Sequence, residues 1–215
     1  MKPKEIVERG YDRIHQFYHE KRMAEFWSTT RELNSFVERL PEEGVVLDAG
    51  CGSGYVSALL ENGGFHVTGI DISKKMLALA KKNAPRSRFI RMDMTDLKLP
   101  SKSFDGVICL FSIIHVPRRS HLGVLRSFRR VLKPGGILAI HLGWGDYVGT
   151  ETDWLGSGAT LYWSHFDKQT NLSLLGKAGF CVLSAWPSKQ KDGTQHLFAI
   201  AQPQGELGRR TDLTL

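Results

Sequence analysis

A buried strand that runs straight into a glycine-rich turn is the feature that most constrains this chain. The segment Val45–Gly54 reads VVLDAGCGSG, an apolar run of strand length followed by glycine at every second position. Glycine lets the backbone turn sharply and lets a ligand approach with no side chain in between. A strand, a glycine loop and a helix in this order open the nucleotide-binding half of a parallel α/β sheet. We therefore expect an α/β fold with a ligand at this loop.

From Gly44 onward, apolar runs of strand length alternate with amphipathic stretches, which predicts βαβ units around a parallel sheet. The predicted strands are Val45–Asp48, His66–Asp71, Arg88–Met92, Gly106–Phe111 and Ile137–His141. The predicted helices are Val56–Asn62, Lys74–Asn83, His121–Leu132 and Lys168–Ala178. Two later runs, Cys181–Trp186 and His196–Ala201, flank a turn-rich stretch and predict an antiparallel hairpin. The expected fold is a Rossmann-like, seven-stranded, mostly parallel sheet with an antiparallel C-terminal hairpin and helices on both faces.

The length of 215 residues fits one ordinary domain with additions. We assign residues 44–202 to that domain. Residues 203–215 are polar and lack periodicity, so this tail is expected to fray. Residues 1–43 form an N-terminal helical extension.

One face of that extension is apolar, because Val7, Tyr11, Ile14 and Tyr18 recur at helical spacing. Two interpretations stay open. The face either packs on the sheet, or its tyrosines join the nearby rings of Phe26 and Trp27 in a lid over a ligand.

The cysteines, the apolar runs and the charge of the chain indicate where the protein acts and which partners it has. The three cysteines, Cys51, Cys109 and Cys181, form no Cys-x-x-Cys pair, so neither a disulfide framework nor a metal site is expected. No apolar run reaches the roughly 18 residues of a spanning helix, and the first residues do not resemble a signal peptide. A cytoplasmic protein without a membrane partner is expected. The net charge of +7 comes largely from basic helix faces, which indicate solvated surface rather than a nucleic-acid site.

An acidic residue follows the glycine loop at the end of the second predicted strand. Asp71 stands where a carboxylate can accept both hydroxyls of a ribose. A dinucleotide loop would carry a third glycine at position 55, where this chain has Tyr55. The spacing therefore favours a nucleoside without phosphates, with the loop amides and Asp48 facing an adenosine that bears an amino-acid tail. An NAD(P)-dependent oxidoreductase and a non-catalytic nucleoside-binding module remain the alternatives.

Over roughly Glu43–Leu142 the sequence resembles the class I S-adenosylmethionine-dependent methyltransferases, in particular the small-molecule branch called methyltransferase type 11. Besides the glycine loop, Phe104–Phe111 is similar to the family's fourth strand and Leu132–Gly136 to its turn into the fifth. The resemblance implies S-adenosylmethionine as cofactor and in-line methyl transfer to an unidentified small-molecule acceptor, by a monomer or homodimer. It implies that Asp71 binds the ribose and that Asp93 and Met94 lie by the adenine. The complete implied cofactor site is Asp48, Gly50, Cys51, Gly52, Gly54, Asp71, Ile72, Met76, Asp93, Met94 and Phe111.

Candidates for the chemistry lie beyond these motifs. His115 follows the fourth predicted strand and is either a catalytic or cofactor-shaping residue, or a helix-entry histidine bonded to backbone. The long segment between His141 and Asp167 is rich in aromatic residues and is predicted to be poor in strands. It forms either an acceptor pocket for an apolar or planar substrate, or a hydrophobic plug over the sheet end. The candidate pocket residues are Tyr11, Tyr18, Trp144, Tyr162 and His165.

Overall fold

The computed structural model describes residues 1–25, 30–190 and 193–205, without the side chains of 22–25. Its helices are α1 Pro3–Glu25, α2 Thr30–Val37, α3 Tyr55–Asn62, α4 Lys74–Asn83, α5 His121–Val131 and α6 Lys168–Lys177. Its strands are β1 Val45–Ala49, β2 His66–Asp71, β3 Arg88–Arg91, β4 Phe104–Cys109, β5 Leu132–Gly143, β6 Tyr147–Glu151, β7 Leu161–His165, β8 Phe180–Lys189 and β9 Gln195–Pro203. Within the described ranges, no helix is both long and apolar enough to cross a bilayer.

Seven of the strands form one sheet in the order β3-β2-β1-β4-β5-β9-β8. Strands β1 to β5 pair in parallel, while β9 pairs antiparallel with both β5 and β8. The predicted sheet and its C-terminal hairpin are confirmed. The chain winds outward from β1 in both directions, which opens a crevice at the carboxyl ends of β1 and β4. The glycine loop and Asp71 lie at this crevice.

Helices cover both faces of the sheet because side chains alternate along each central strand. Leu47 and Val107 lie on the face covered by α5, where they share a core with Phe128. Val46 and Ile108 lie on the opposite face, where they pack against Phe36 of α2. Each such buried side chain contributes about 1.5–3 kcal/mol through removal of apolar surface from water. The two cores bury both faces of the central strands.

Helix α1 lies across the carboxyl edge of the sheet and is held there by polar contacts. Asp12 Oδ1 accepts hydrogen bonds from Ser73 Oγ at 2.5 Å and from the Lys75 amide at 3.1 Å, at the start of α4. Lys4 pairs with Asp93 at 3.0 Å, just after β3. Of the two interpretations of this extension, the structure thus places α1 over the edge, while α2 packs on the sheet. Phe26 and Trp27, the further rings of the predicted lid, lie outside the described residues.

The segment between β5 and α6 differs from the prediction, because it is not poor in strands. Strands β6 and β7 form a separate antiparallel hairpin in which Tyr147 pairs with His165 and Glu151 with Leu161. Each strand has only five residues. The pairing therefore depends on contacts with α1 and the sheet edge rather than on a long alternating pattern.

The boundaries of β5 and β9 are among those that shift. Strand β5 begins before Pro134 rather than after the Pro-Gly-Gly turn, because the β4–β5 register jumps from Phe104–Leu132 to Gly106–Ile137 and so accommodates the proline. Strand β9 continues to Pro203, the first residue of the tail for which the sequence predicts fraying. Residues 206–215 of that tail lie outside the described residues.

Candidate functional site

The three glycines of the loop have different roles. All have positive φ, at +80° for Gly50, +52° for Gly52 and +74° for Gly54. A Cβ atom on Gly50 would lie 1.7 Å from Ser112 Oγ, and one on Gly54 would lie 2.7 Å from Ala80 Cα. These two glycines permit close packing of the loop. A Cβ on Gly52 would meet no described atom within 4 Å, so this glycine leaves open space for a ligand.

Asp71 shapes the same loop from the end of β2. Its Oδ2 accepts from the Gly52 amide at 2.9 Å, and its Oδ1 accepts from the Ser73 amide at 2.8 Å. Burial raises the pKa of the Asp71 carboxyl, the two amide donors oppose that effect, and the charge of Asp12 adds to it. Each carboxylate oxygen has a second lone pair besides the one used here. Asp71 can thus position the loop and still accept two hydroxyl groups.

The glycine-loop cavity, of about 390 Å³, is lined by Gly52, Asp71 and residues that follow β3 and β4. Most of the predicted cofactor residues lie in its wall: Gly50, Gly52, Asp71, Ile72, Met76, Asp93, Met94 and Phe111. Helix α1 also contributes to this wall, through Lys4, Val7, Tyr11 and Tyr18. The sequence placed Val7 on the apolar face of α1 but did not assign it to the cofactor site, and it gave no periodic signal for Lys4.

Three predicted cofactor residues, Asp48, Cys51 and Gly54, are buried behind the cavity wall. Asp48 accepts a hydrogen bond from Ser57 Oγ of α3 at 2.6 Å. Burial raises the pKa of the Asp48 carboxyl to about 7, the Ser57 hydroxyl opposes this, and the charge of Asp71 adds to it. The geometry therefore gives Asp48 a supporting position beneath the loop rather than a place in its open surface.

The raised pKa of Asp48 predicts a pH-dependent effect of Asp48→Asn on stability. The folded state holds the Asp48 proton more tightly than the unfolded chain, so this residue's contribution falls as pH rises from about 4 to about 7. Above that window the free energy of unfolding of the wild type is lower by up to about 4 kcal/mol. Asparagine does not ionise, so the variant does not show this decrease. Urea unfolding should therefore show the variant gaining stability over the wild type at pH 8 relative to pH 5. Asp96→Asn, at an exposed carboxylate, is the control, and an equal effect at both pH values would contradict the prediction.

His115 lies in a short 3-10 turn after β4 and is buried. Its Nδ1 is 2.8 Å from the carbonyl oxygen of Tyr162, and because a carbonyl only accepts, Nδ1 carries the proton. Nε2 then accepts from the Tyr11 hydroxyl at 2.8 Å. Burial lowers the pKa of His115 to about 4, the bond to Tyr162 opposes this, and His165 adds to it. The fold thus keeps a neutral imidazole whose basic nitrogen points to Tyr11.

A second space, the aromatic cavity, adjoins the first and measures about 460 Å³. Both cavities share Tyr11, Tyr18, Phe111 and His115 in their walls. The rest of the aromatic cavity is formed mainly by the β6–β7 hairpin and the start of β9, including Trp154, Leu155, Trp163, His165, Gln195 and His196. The two spaces therefore meet at four side chains.

Of the predicted pocket residues, Tyr11, Tyr18 and His165 lie in the wall of the aromatic cavity. Trp144 does not, because it packs on the hydrophobic core with the Lys168 ammonium 5.3 Å from its ring centroid. Tyr162 contributes its backbone oxygen to His115 rather than its ring to the wall. Instead of Trp144 and Tyr162, the rings of Trp154 and Trp163 lie in the cavity wall. Aromatic composition marked the whole segment, but it did not distinguish which rings face the cavity.

Phe111 links the two spaces from the end of β4. Its φ of +50° is in the left-handed region, which costs a non-glycine residue on the order of 1–3 kcal/mol and is typically retained at functional sites. Its ring stacks on His141 with centroids 3.9 Å apart. The stacking and the backbone geometry together hold the ring between the cavities.

Part of this chain is similar to known methyltransferases. Residues 47–140 match the family model described as a methyltransferase domain. YqeM of Bacillus subtilis, which is named as a methyltransferase, is 39% identical over 104 residues, 46% of this chain and 42% of that protein. Demethylmenaquinone methyltransferase of Tropheryma whipplei is 40% identical over 97 residues, 44% of this chain and 40% of that protein. The crystal structure of PH0226 from Pyrococcus horikoshii is 26% identical, with a TM-score of 0.68 over 88% of this chain and 92% of that one.

The sheet order, the glycine loop and the carboxylate after β2 define a class I, Rossmann-like methyltransferase fold. Within that class, residues 47–140 match the methyltransferase type 11 family model, and the resemblance predicted from the motifs is confirmed. The chain spans less than half the length of the curated relatives it matches, 42% and 40% for the two above.

Proposed function

We propose that this chain is an enzyme that transfers a methyl group from S-adenosylmethionine to a small-molecule acceptor. The observation that carries the proposal is the junction of the two cavities. One is lined by the glycine loop and Asp71, the other by aromatic side chains, and they meet beside the basic nitrogen of His115. The match of residues 47–140 to the methyltransferase domain model supports the same activity.

The residues of the glycine-loop cavity fit the methyl donor. The open space above Gly52 admits the ligand next to the backbone, and Asp71 offers lone pairs to two ribose hydroxyls. In this proposal Asp93 and Met94 contact the adenine from the cavity wall, where Asp93 Oδ1 accepts a hydrogen bond from the Thr95 amide at 2.9 Å. When bound, the sulfonium supplies an electrophilic methyl group. The protein's own task is to align the acceptor and exclude water.

His115 is the proposed catalytic base. The acceptor's hydroxyl or amine replaces the Tyr11 hydroxyl at Nε2 and keeps a lone pair directed at the methyl carbon. As the new bond to carbon forms, the carbon–sulfur bond breaks with its electrons remaining on sulfur, and the acceptor's proton passes to His115 and then to solvent. With a pKa of about 4, His115 takes this proton late, when bond formation has made the acceptor strongly acidic.

Helix α1 and the β6–β7 hairpin form a cover over this reaction in the same proposal. Tyr11 and Tyr18 of α1 contact Trp154 of the hairpin, with ring centroids 6.1 and 5.7 Å apart. A closed cover favours transfer to the acceptor over reaction with water. We propose that the enzyme acts in the cytoplasm, as a monomer or homodimer, and without nucleic acid as its substrate.

Ligand titration tests the proposed cofactor against the dinucleotide alternative. By calorimetry, S-adenosylhomocysteine should bind and NADH should not, and Gly52→Ala should weaken binding at least tenfold because its methyl group occupies ligand space. Gly64→Ala is the matched control, since Gly64 also has positive φ, +88°, and open space but lies in the α3–β2 turn. The proposal would be overturned if NADH binds and S-adenosylhomocysteine does not.

A further inference from the structure

Trp154 is fixed at the tip of the β6–β7 hairpin by an unusual backbone. Its neighbours Asp153 and Leu155 both have positive φ, +55° and +59°, although neither is glycine. The turn is closed by a bond from the Trp154 amide to the Ala159 carbonyl at 2.9 Å, and Asp153 Oδ1 accepts from the Gly158 amide at 2.5 Å. Strained positions of this kind persist where the surrounding structure over-determines them, and they cluster at ligand sites. The turn therefore fixes the backbone position from which the Trp154 indole projects.

That indole is part of a continuous group of rings around the aromatic cavity. Trp154 lies 5.7 Å from Trp163 at an interplanar angle of 66°, and 6.1 Å from Tyr11 at 74°. Trp163 in turn lies 4.4 Å from the His115 ring. Rings packed edge to face offer both faces and edges to a further aromatic molecule. The group therefore extends up to the basic nitrogen of His115.

The size of the cavity decides between two ligands that aromatic walls can bind. A cage of rings can also bind an ammonium group, but such a group needs a small enclosure. The aromatic cavity measures about 460 Å³, within the range that holds whole organic ligands. Gln190, Gln195 and His196 add hydrogen-bonding groups to the same wall. A flat molecule of one or two rings with polar substituents fits these features best.

We infer that the acceptor is a planar aromatic compound with a hydroxyl group, whose ring lies against Trp154 and whose hydroxyl reaches His115. The inference rests on the proposed function and specifies its substrate class. The hydroxyl oxygen on the aromatic ring forms the bond to the methyl carbon as the carbon–sulfur bond breaks. The hydroxyl proton passes to His115 and then to solvent. Trp154 acts as a specificity residue, because it contacts the ring of the acceptor and takes no part in the bond changes.

Calorimetry with two matched probes tests this inference. 2-Naphthol and its saturated counterpart decahydro-2-naphthol share a carbon skeleton and a hydroxyl group but differ in planarity. Both are titrated with and without saturating S-adenosylhomocysteine. We expect 2-naphthol to bind at least tenfold more tightly, and Trp154→Leu to remove that preference while leaving S-adenosylhomocysteine affinity unchanged. Trp144→Leu, which removes a ring of the same segment outside the cavity wall, should keep the preference.

Equal binding of the two alcohols, or an unchanged preference in Trp154→Leu, would overturn the inference. Choline is the probe for the ammonium alternative, and tighter binding of choline than of 2-naphthol would also overturn the inference. The S-adenosylhomocysteine titration distinguishes a wrong acceptor class from a wrong proposed function. If that ligand binds and 2-naphthol shows no preference, the acceptor class is wrong and the proposed methyl transfer stands. If that ligand does not bind, the proposed function itself fails, and the naphthol titrations without it still report on the aromatic cavity.

Discussion

Asp71→Ala should weaken binding of S-adenosylhomocysteine at least a hundredfold. The substitution removes a carboxylate placed to accept two ribose hydroxyls, and hydrogen bonds to charged groups contribute about 1.5–3 kcal/mol each. It also leaves the amides of Gly52 and Ser73 without their acceptors, so the loop loses its position. A combined loss of about 3 kcal/mol or more corresponds to the predicted change in Kd. Isothermal titration calorimetry measures it directly.

Asp105→Ala is the matched control for this loss. Asp105 also accepts from a backbone amide, that of Val45 at 2.9 Å, and pairs with Lys133 at 2.7 Å. It stands near the amino end of β4, whereas the cavity lies at the carboxyl ends of the strands. Its removal should lower stability and leave affinity unchanged. A folded Asp71→Ala protein that binds like the wild type would remove Asp71 from the ribose site.

His115→Ala should slow methyl transfer by a factor of about 100 to 10,000, the usual range for loss of a positioned acid–base group. Affinity for S-adenosylhomocysteine should change far less, because the cofactor contacts centred on the glycine loop and Asp71 remain. The measurement is single-turnover transfer of a labelled methyl group to an acceptor found by screening metabolite extracts. His66→Ala, at the exposed start of β2, is the control. Transfer at the wild-type rate in His115→Ala would refute the base role.

The pH profile of the wild-type enzyme gives an independent check on His115. Its pKa is lowered to about 4, so the neutral form required of a base is present at all higher pH values. The rate should therefore be flat through the range in which an ordinary histidine titrates, near pH 6.5, and fall only as pH approaches 4. A midpoint near 6.5 that disappears in His115→Ala would show that the imidazole is more solvated during turnover than in this structure.

Much of the fold and of the glycine-loop cavity could be predicted because the determinants are local in the sequence. The strand Val45–Ala49 and the glycines that follow it form one continuous segment. Asp71 and Asp93 follow parallel strands, and the carboxyl ends of such strands share one edge of a sheet. Their closeness therefore follows from strand order alone. The burial of Asp48 could not be read in this way, because it depends on which face of β1 meets Ser57 of α3.

The sequence by itself determined the sheet, the ligand loop and the segment that supplies aromatic side chains. Only the tertiary structure decided that α1 crosses the carboxyl edge, that the β6–β7 hairpin forms, and that Trp154 rather than Trp144 faces the cavity. The physical reason is distance along the chain. His115 is joined to Tyr11 across 104 residues and to Tyr162 across 47. Such contacts leave no periodic signal in either segment, because they exist only when packing brings the segments together.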